Sequence, residues 1–108
     1  MASYLLIESR DPFDSNDARF CCELATQLAQ QGDAVTVFLV QNGVLPARVR
    51  ARANELSELA KAGIEILADD FSLRERGIPF DRLTPGVKSA SLDVVIDRLA
   101  DGWKAIWH

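Results

Sequence analysis

The sequence predicts a three-layer α/β/α domain around a mostly parallel five-stranded sheet, and three observations predict it. Short apolar runs alternate along the 108 residues with segments whose apolar positions recur every three or four residues, in the order β-α-β-α-β-α-β-α-β. The clearest run, from Ala34 to Val40, is apolar nearly throughout, as a strand covered on both faces must be. Glycine, proline or a capping residue stands at most of the junctions between runs, and nothing resembles a linker or a repeat, so one domain spanning 1–108 is expected.

Tyr4 to Glu8 is the first expected strand. Arg10-Asp11-Pro12-Phe13-Asp14-Ser15-Asn16 follows as a polar loop rich in helix N-caps. From Asp17 the period is helical, with Ala18, Cys21, Leu24, Ala25 and Leu28 on one face and Gly32 as the C-cap. Ala34 to Val40 is the second strand. Asn42-Gly43 has hairpin character, but the nearby Pro46 and the helical pattern of Arg48 to Ala62 argue for a crossover. That helix turns Val49, Leu56, Leu59 and Ala60 inward and stops at Gly63. Ile64 to Ala68 is the third strand, ended by Asp69-Asp70, and Phe71 to Gly77 is a short helix. After an irregular stretch from Pro79 to Pro85, residues 86–89 form a short fourth strand. Leu92 to Ala100 is a helix with Val95, Ile96 and Leu99 inward, and Trp103 to Trp107 alternates like an edge strand.

Right-handed crossovers in such a sheet place the ligand crevice beyond the carboxyl ends of the strands. That rule selects the loops 9–16, 41–44 and 69–72.

Composition narrows the function classes. Apolar residues make up 48% and charged residues 26%, an ordinary globular balance. The net charge of −4 repels phosphate backbones, so direct nucleic-acid binding is not expected. No run approaches the ~20 apolar residues of a membrane helix, and the first residues lack the basic flank of a signal peptide. Cytoplasmic residence is the expectation. Neither a Gly-x-Gly-x-x-Gly nor a Walker-type loop follows the first strand, and no cofactor is expected. Two adjacent cysteines and the single histidine, His108, do not make an ordinary structural zinc site within one chain, so no metal is assigned.

Each candidate has a chemical and a plain reading. Arg10 and the helix start after it offer charge to an anion, or simply form a capped polar loop. Asp69 and Asp70, at the carboxyl end of a central strand, suit a cation or a general base. Adjacent strand residues point to opposite faces, however, and Asp70 or Ser72 is equally placed to cap the helix that follows. Arg48, Arg50 and Arg52 spread around their helix as a solvated face or as a contact for an acidic partner. Cys21 falls on the core face, while Cys22 lies about a quarter turn away and is the candidate reactive thiol. Arg10, Asn42, Asp69, Asp70 and Phe71 are the candidate crevice residues, and no residue is assigned as catalytic.

Three segments together resemble the DsrE/DsrF-like family of sulfur-relay proteins, which includes the Tus proteins of tRNA thiolation. They are Val35 to Val44, with its strand and glycine turn; Gly63 to Ile78; and the strand, helix and strand from Val87 to Trp107. The resemblance covers nearly the whole chain. It implies a flavodoxin-like fold, assembly into trimers or hexamers, and contacts with other sulfur-relay proteins. Active members carry sulfur as a persulfide on a cysteine just after the third strand, where this sequence has Asp69. The resemblance therefore implies a non-catalytic structural or docking subunit of a sulfur-relay assembly. The alternative left open by the residues is a small-ligand or cation-binding module, or a small enzyme, using Asp69 and Asp70.

Overall fold

Side chains alternate between the two faces of a strand, so a strand that is apolar on both faces needs cover on both. The computed structural model describes residues 2–10, 18–48 and 55–108. Its centre is a five-stranded sheet of β1 (Ser3–Glu8), β2 (Ala34–Leu39), β3 (Glu65–Asp69), β4 (Val87–Ala90) and β5 (Lys104–Trp107) in the order β4-β3-β2-β1-β5. Every pairing is parallel: Leu5 faces Thr36, Val37 faces Ile66, Ile66 faces Val87 and Leu6 faces Ile106.

The chain winds from β1 to β4 in one direction and then returns across the sheet to lay β5 on the far side of β1. Right-handed crossovers therefore put the first three helices on one face and the last helix on the other. On the first face, Leu6, Val37, Leu39 and Ile66 pack with Cys21 and Ala25 of α1 (Ala18–Gln30), Leu56 and Leu59 of α2 (Glu55–Lys61), and Leu73 of α3 (Asp70–Glu75). On the second, Leu5, Ile7, Phe38 and Leu67 pack against Val95 of α4 (Asp93–Ala100). Helix α1 stops where the sequence predicts: Gly32 has φ +89°, and Asp33 N donates to Leu28 O at 3.2 Å, closing the last turn. Among the described residues no helix is long and apolar enough to cross a membrane.

Three local expectations are corrected. Arg48 does not open a helix; it is extended (φ −62°, ψ 136°) and bridges Leu83, while Gln41–Ala47 wind as a 3-10 turn. The reason lies in the 79–85 stretch. Thr84 N donates to Ala47 O at 2.7 Å and Thr84 Oγ1 to Arg48 O at 3.1 Å, which satisfies carbonyls that a helix would otherwise use. Val49, Arg50 and Arg52 lie outside the described residues.

Helix α4 is the second correction. Val95 is buried as expected, but Ile96 and Leu99 are exposed, at 61% and 49%. Arg98 turns the helix the other way: its Nη1 donates to Thr36 Oγ1 at 2.7 Å, its Nη2 to Glu65 Oε1 at 2.8 Å, and its guanidinium lies 4.5 Å from the Trp103 ring centre.

The third strand, finally, begins and ends one residue later than the run Ile64 to Ala68. That shift brings Asp69 into the sheet, opposite Ala90.

Candidate functional site

The carboxyl ends of β1, β2 and β3 lie at one end of the parallel sheet, and the turns after β2 and β3 are joined there. Asp69, the last residue of β3, is the N-cap of α3: its Oδ2 accepts from Ser72 N at 3.0 Å and from Ser72 Oγ at 2.7 Å. Ser72 Oγ in turn accepts from Gln41 N at 2.8 Å, tying the turn after β2 to the turn after β3. Gln41 holds a left-handed backbone (φ 52°) at that junction. Both Asp69 and Ser72 are buried.

Capping therefore belongs to Asp69, not to Asp70 or Ser72 as the sequence suggested. Asp70 turns outward to Arg74, with 3.8 Å between Oδ1 and Nη2. The two carboxylates do not converge. Asn42 Oδ1 accepts from Arg76 Nε at 3.2 Å and Arg76 Nη2 at 3.1 Å, while Arg76 Nη1 donates to Ser72 O at 3.3 Å. Phe71 stands 61% exposed beside this network. The structure thus joins Asn42 and Asp69 through Ser72 and Arg76. Sequence reasoning missed Arg76, since an arginine near a helix end carries no local signal of its partner.

A second cluster gathers at the end of β1, where Glu8 is buried. Its Oε1 accepts from Arg10 N at 2.9 Å, and its Oε2 lies 2.9 Å from His108 Nδ1. The Cys21 thiol feels the Glu8 carboxylate, whose charge disfavours a thiolate there. His108 is held by its own backbone: its N donates to Ile7 O at 2.8 Å, and its O accepts from Ser9 N at 2.9 Å and from Ser9 Oγ at 3.1 Å. The Phe20 ring packs on the imidazole with 5.6 Å between centres. Of the sequence candidates only Arg10 belongs to this cluster, and the rest of its loop lies outside the described residues. Glu8 and His108 were missed. The one available signal was a carboxylate closing an otherwise apolar strand run.

Burial pushes the Cys21 thiol far up from its ordinary value, helped by the charge of Glu8 and by Cys22. Cys21 is thus an unreactive core thiol at neutral pH. Cys22 is half-buried, and neither cysteine is in a disulfide. Among the described residues no group of three or more His, Cys, Asp or Glu stands together as a metal site.

At the opposite end of the sheet, an open cavity of about 430 Å³ is lined by Thr36, Glu65, Arg98 and Trp103 among others. Thr36 and Glu65 in its wall are already paired with Arg98, and Asp33 Oδ1 accepts from Ala2 N.

The chain matches the model of the DsrE/DsrF-like family over residues 2–107. Among solved structures it resembles the ychN protein from E. coli, with a TM-score of 0.90, 18% identity and complete coverage of both chains. It also resembles MTH1491 from Methanobacterium thermoautotrophicum, a protein of unknown function, with a TM-score of 0.85, 21% identity and coverage of 99% of this chain and 98% of that one. BT1422 from Bacteroides thetaiotaomicron, a conserved protein of unknown function, follows with a TM-score of 0.78, 17% identity and coverage of 98% and 94%. At these identities the likeness is one of fold. No curated protein matches. With its all-parallel sheet and a family match over almost its full length, the chain belongs to the DsrE/DsrF-like family.

Proposed function

We propose that this chain serves sulfur metabolism in the cytoplasm as a non-catalytic structural or docking subunit of a sulfur-relay assembly. The observation that carries this reading is Asp69. It closes the third strand, at the position to which the family resemblance assigns a sulfur-carrying cysteine, and it is engaged as a buried cap on Ser72. A carboxylate has no soft nucleophilic sulfur to take up sulfane sulfur, and Cys21 is buried with its thiolate disfavoured. The divergence of Asp70 toward Arg74 weighs against a paired-carboxylate cation site.

A docking subunit needs surface to dock with. Leu92, Ile96 and Leu99 leave one side of α4 apolar and exposed, and Trp107 on the edge strand is 68% exposed. These side chains support assembly into a homo-oligomer, a trimer or hexamer, that then meets other relay proteins.

Mass spectrometry after incubation with a persulfide donor tests the role. The expected result is no stable gain of sulfur on the wild-type chain. A stoichiometric gain of one sulfur that disappears in Cys22→Ser would make Cys22 a carrier and overturn the docking role.

A further inference from the structure

We propose that Glu8 and His108 form a proton-accepting site for a thiol, placed at the β1–β5 reversal of the sheet. Strand order turns back on itself only there, since β2 and β5 flank β1 on opposite sides. In open parallel sheets the crevice beyond the carboxyl ends at such a reversal is where ligands bind. Three elements converge on it: the end of β1 brings Glu8, the residue after β5 brings His108, and the first turn of α1 brings Phe20 and Cys21.

The geometry assigns a role to each group. With Nδ1 at 2.9 Å from a buried carboxylate, the neutral imidazole keeps its proton on Nδ1 and presents Nε2 as an acceptor. No group among the described residues hydrogen-bonds Nε2, and the side chain is 23% exposed. Backbone bonds on both sides of His108 fix the ring's position. Glu8 is a positioning residue that also stabilises the imidazolium once a proton arrives.

The acidity of the ligand follows from imidazole chemistry. A thiol is far more acidic than water, so it is the better proton donor to an imidazole nitrogen. The Phe20 ring beside the imidazole adds a surface that favours sulfur. The step is a proton transfer alone: the S–H bond breaks, its electron pair stays on sulfur as a thiolate, and the proton bonds to Nε2. The chain's own thiols take no part, so the step suits a docking subunit that presents a partner's cysteine as thiolate. The inference rests on the proposed relay role only for that source; a free low-molecular-weight thiol has the same chemistry.

His108 is the single histidine of the chain, so its ring nitrogens are read without ambiguity by long-range proton–nitrogen NMR. The intact protein is expected to show the Nδ1-protonated neutral tautomer; an Nε2-protonated neutral ring would overturn the proposal. Titration then uses glutathione in one arm and a capped single-cysteine peptide in the other, each with its serine counterpart as control. A saturable shift toward imidazolium with a thiol and not with serine is expected, and the responding arm identifies the source. Absence of a shift in both arms would overturn the site. Glu8→Gln should weaken the response by at least about tenfold, and an undiminished response would remove Glu8 from the role. The tautomer and wild-type titration stand even if that variant does not fold. Sulfur gain on Cys22 would overturn the docking role without moving His108, whereas a silent His108 would overturn this site and leave the docking role standing.

Discussion

Gly43 packs directly against the carbonyl of Glu8, so closely that an added Cβ would fall within the oxygen's van der Waals volume. The contact is backbone on backbone. Glu8 O already accepts from Val40 N at 3.0 Å, and Gly43 N donates to Val40 O at 2.9 Å, so the turn after β2 has no room to shift. Gly43→Ala should cost about 1–3 kcal/mol. The expected readout is a lower urea midpoint with an unchanged slope.

Asp69 stabilises the start of α3 through its two bonds to Ser72. Asp69→Ala should destabilise by about 1–2 kcal/mol, and Asp69→Asn should recover much of the loss because its side-chain oxygen still accepts from the Ser72 amide. Amide hydrogen exchange should quicken first across residues 70–75. A variant exchanging like wild type there would refute the cap as a stabilising element.

Glu65 links acid stability to the latch formed by Arg98. Burial by itself would raise its pKa, but the hydrogen bonds from Thr36 and Arg98, with the charges of Arg98 and Lys88, outweigh burial and hold it below the ordinary 4.5. Because the folded value is depressed, the stabilisation is complete above 4.5 and is lost as pH falls through the lower folded value. Glu65→Gln should flatten the stability–pH curve in that acid window and leave its shape near neutrality unchanged. Equilibrium unfolding from acid to neutral pH measures it.

The two adjacent cysteines should separate cleanly in reactivity. Iodoacetamide at neutral pH is expected to label Cys22 well before Cys21, whose labelling should wait for unfolding. A raised folded pKa for Cys21 also means that its contribution to stability is present below the ordinary thiol value and is lost as pH rises above it. Peptide mapping of labelled samples distinguishes the two sites.

The apolar side of α4 gives the assembly its test. Ile96→Glu places a charge in the middle of the exposed Leu92–Ile96–Leu99 row and should convert the proposed oligomer to the 11.9 kDa monomer, with an unchanged circular dichroism spectrum. Light scattering should show the shift; a wild-type chain that is already monomeric at micromolar concentration would refute self-association.

The alternation of strands and helices was legible along the chain because each signal is local. Apolar runs such as Val35 to Val40, capping residues and the glycine after α1 act within a few positions of themselves. They located all five strands, with Asn42 in the turn after β2 and Asp69 at the end of β3. They did not resolve α4, where Val94, Val95, Ile96 and Leu99 are apolar on more than one side. Which side packs was decided by Arg98 reaching Thr36, 62 positions away, and Glu65. The extended backbone of Arg48 likewise depends on Leu83 and Thr84, which lie far along the chain.

The Glu8–His108 pair joins residues 100 positions apart, and it exists only because β5 lies beside β1 in register, Ile7 opposite Trp107. Nothing in either residue's neighbourhood specifies that register. It emerges when the last crossover carries the chain back over the sheet and the remaining edge of β1 takes the final strand.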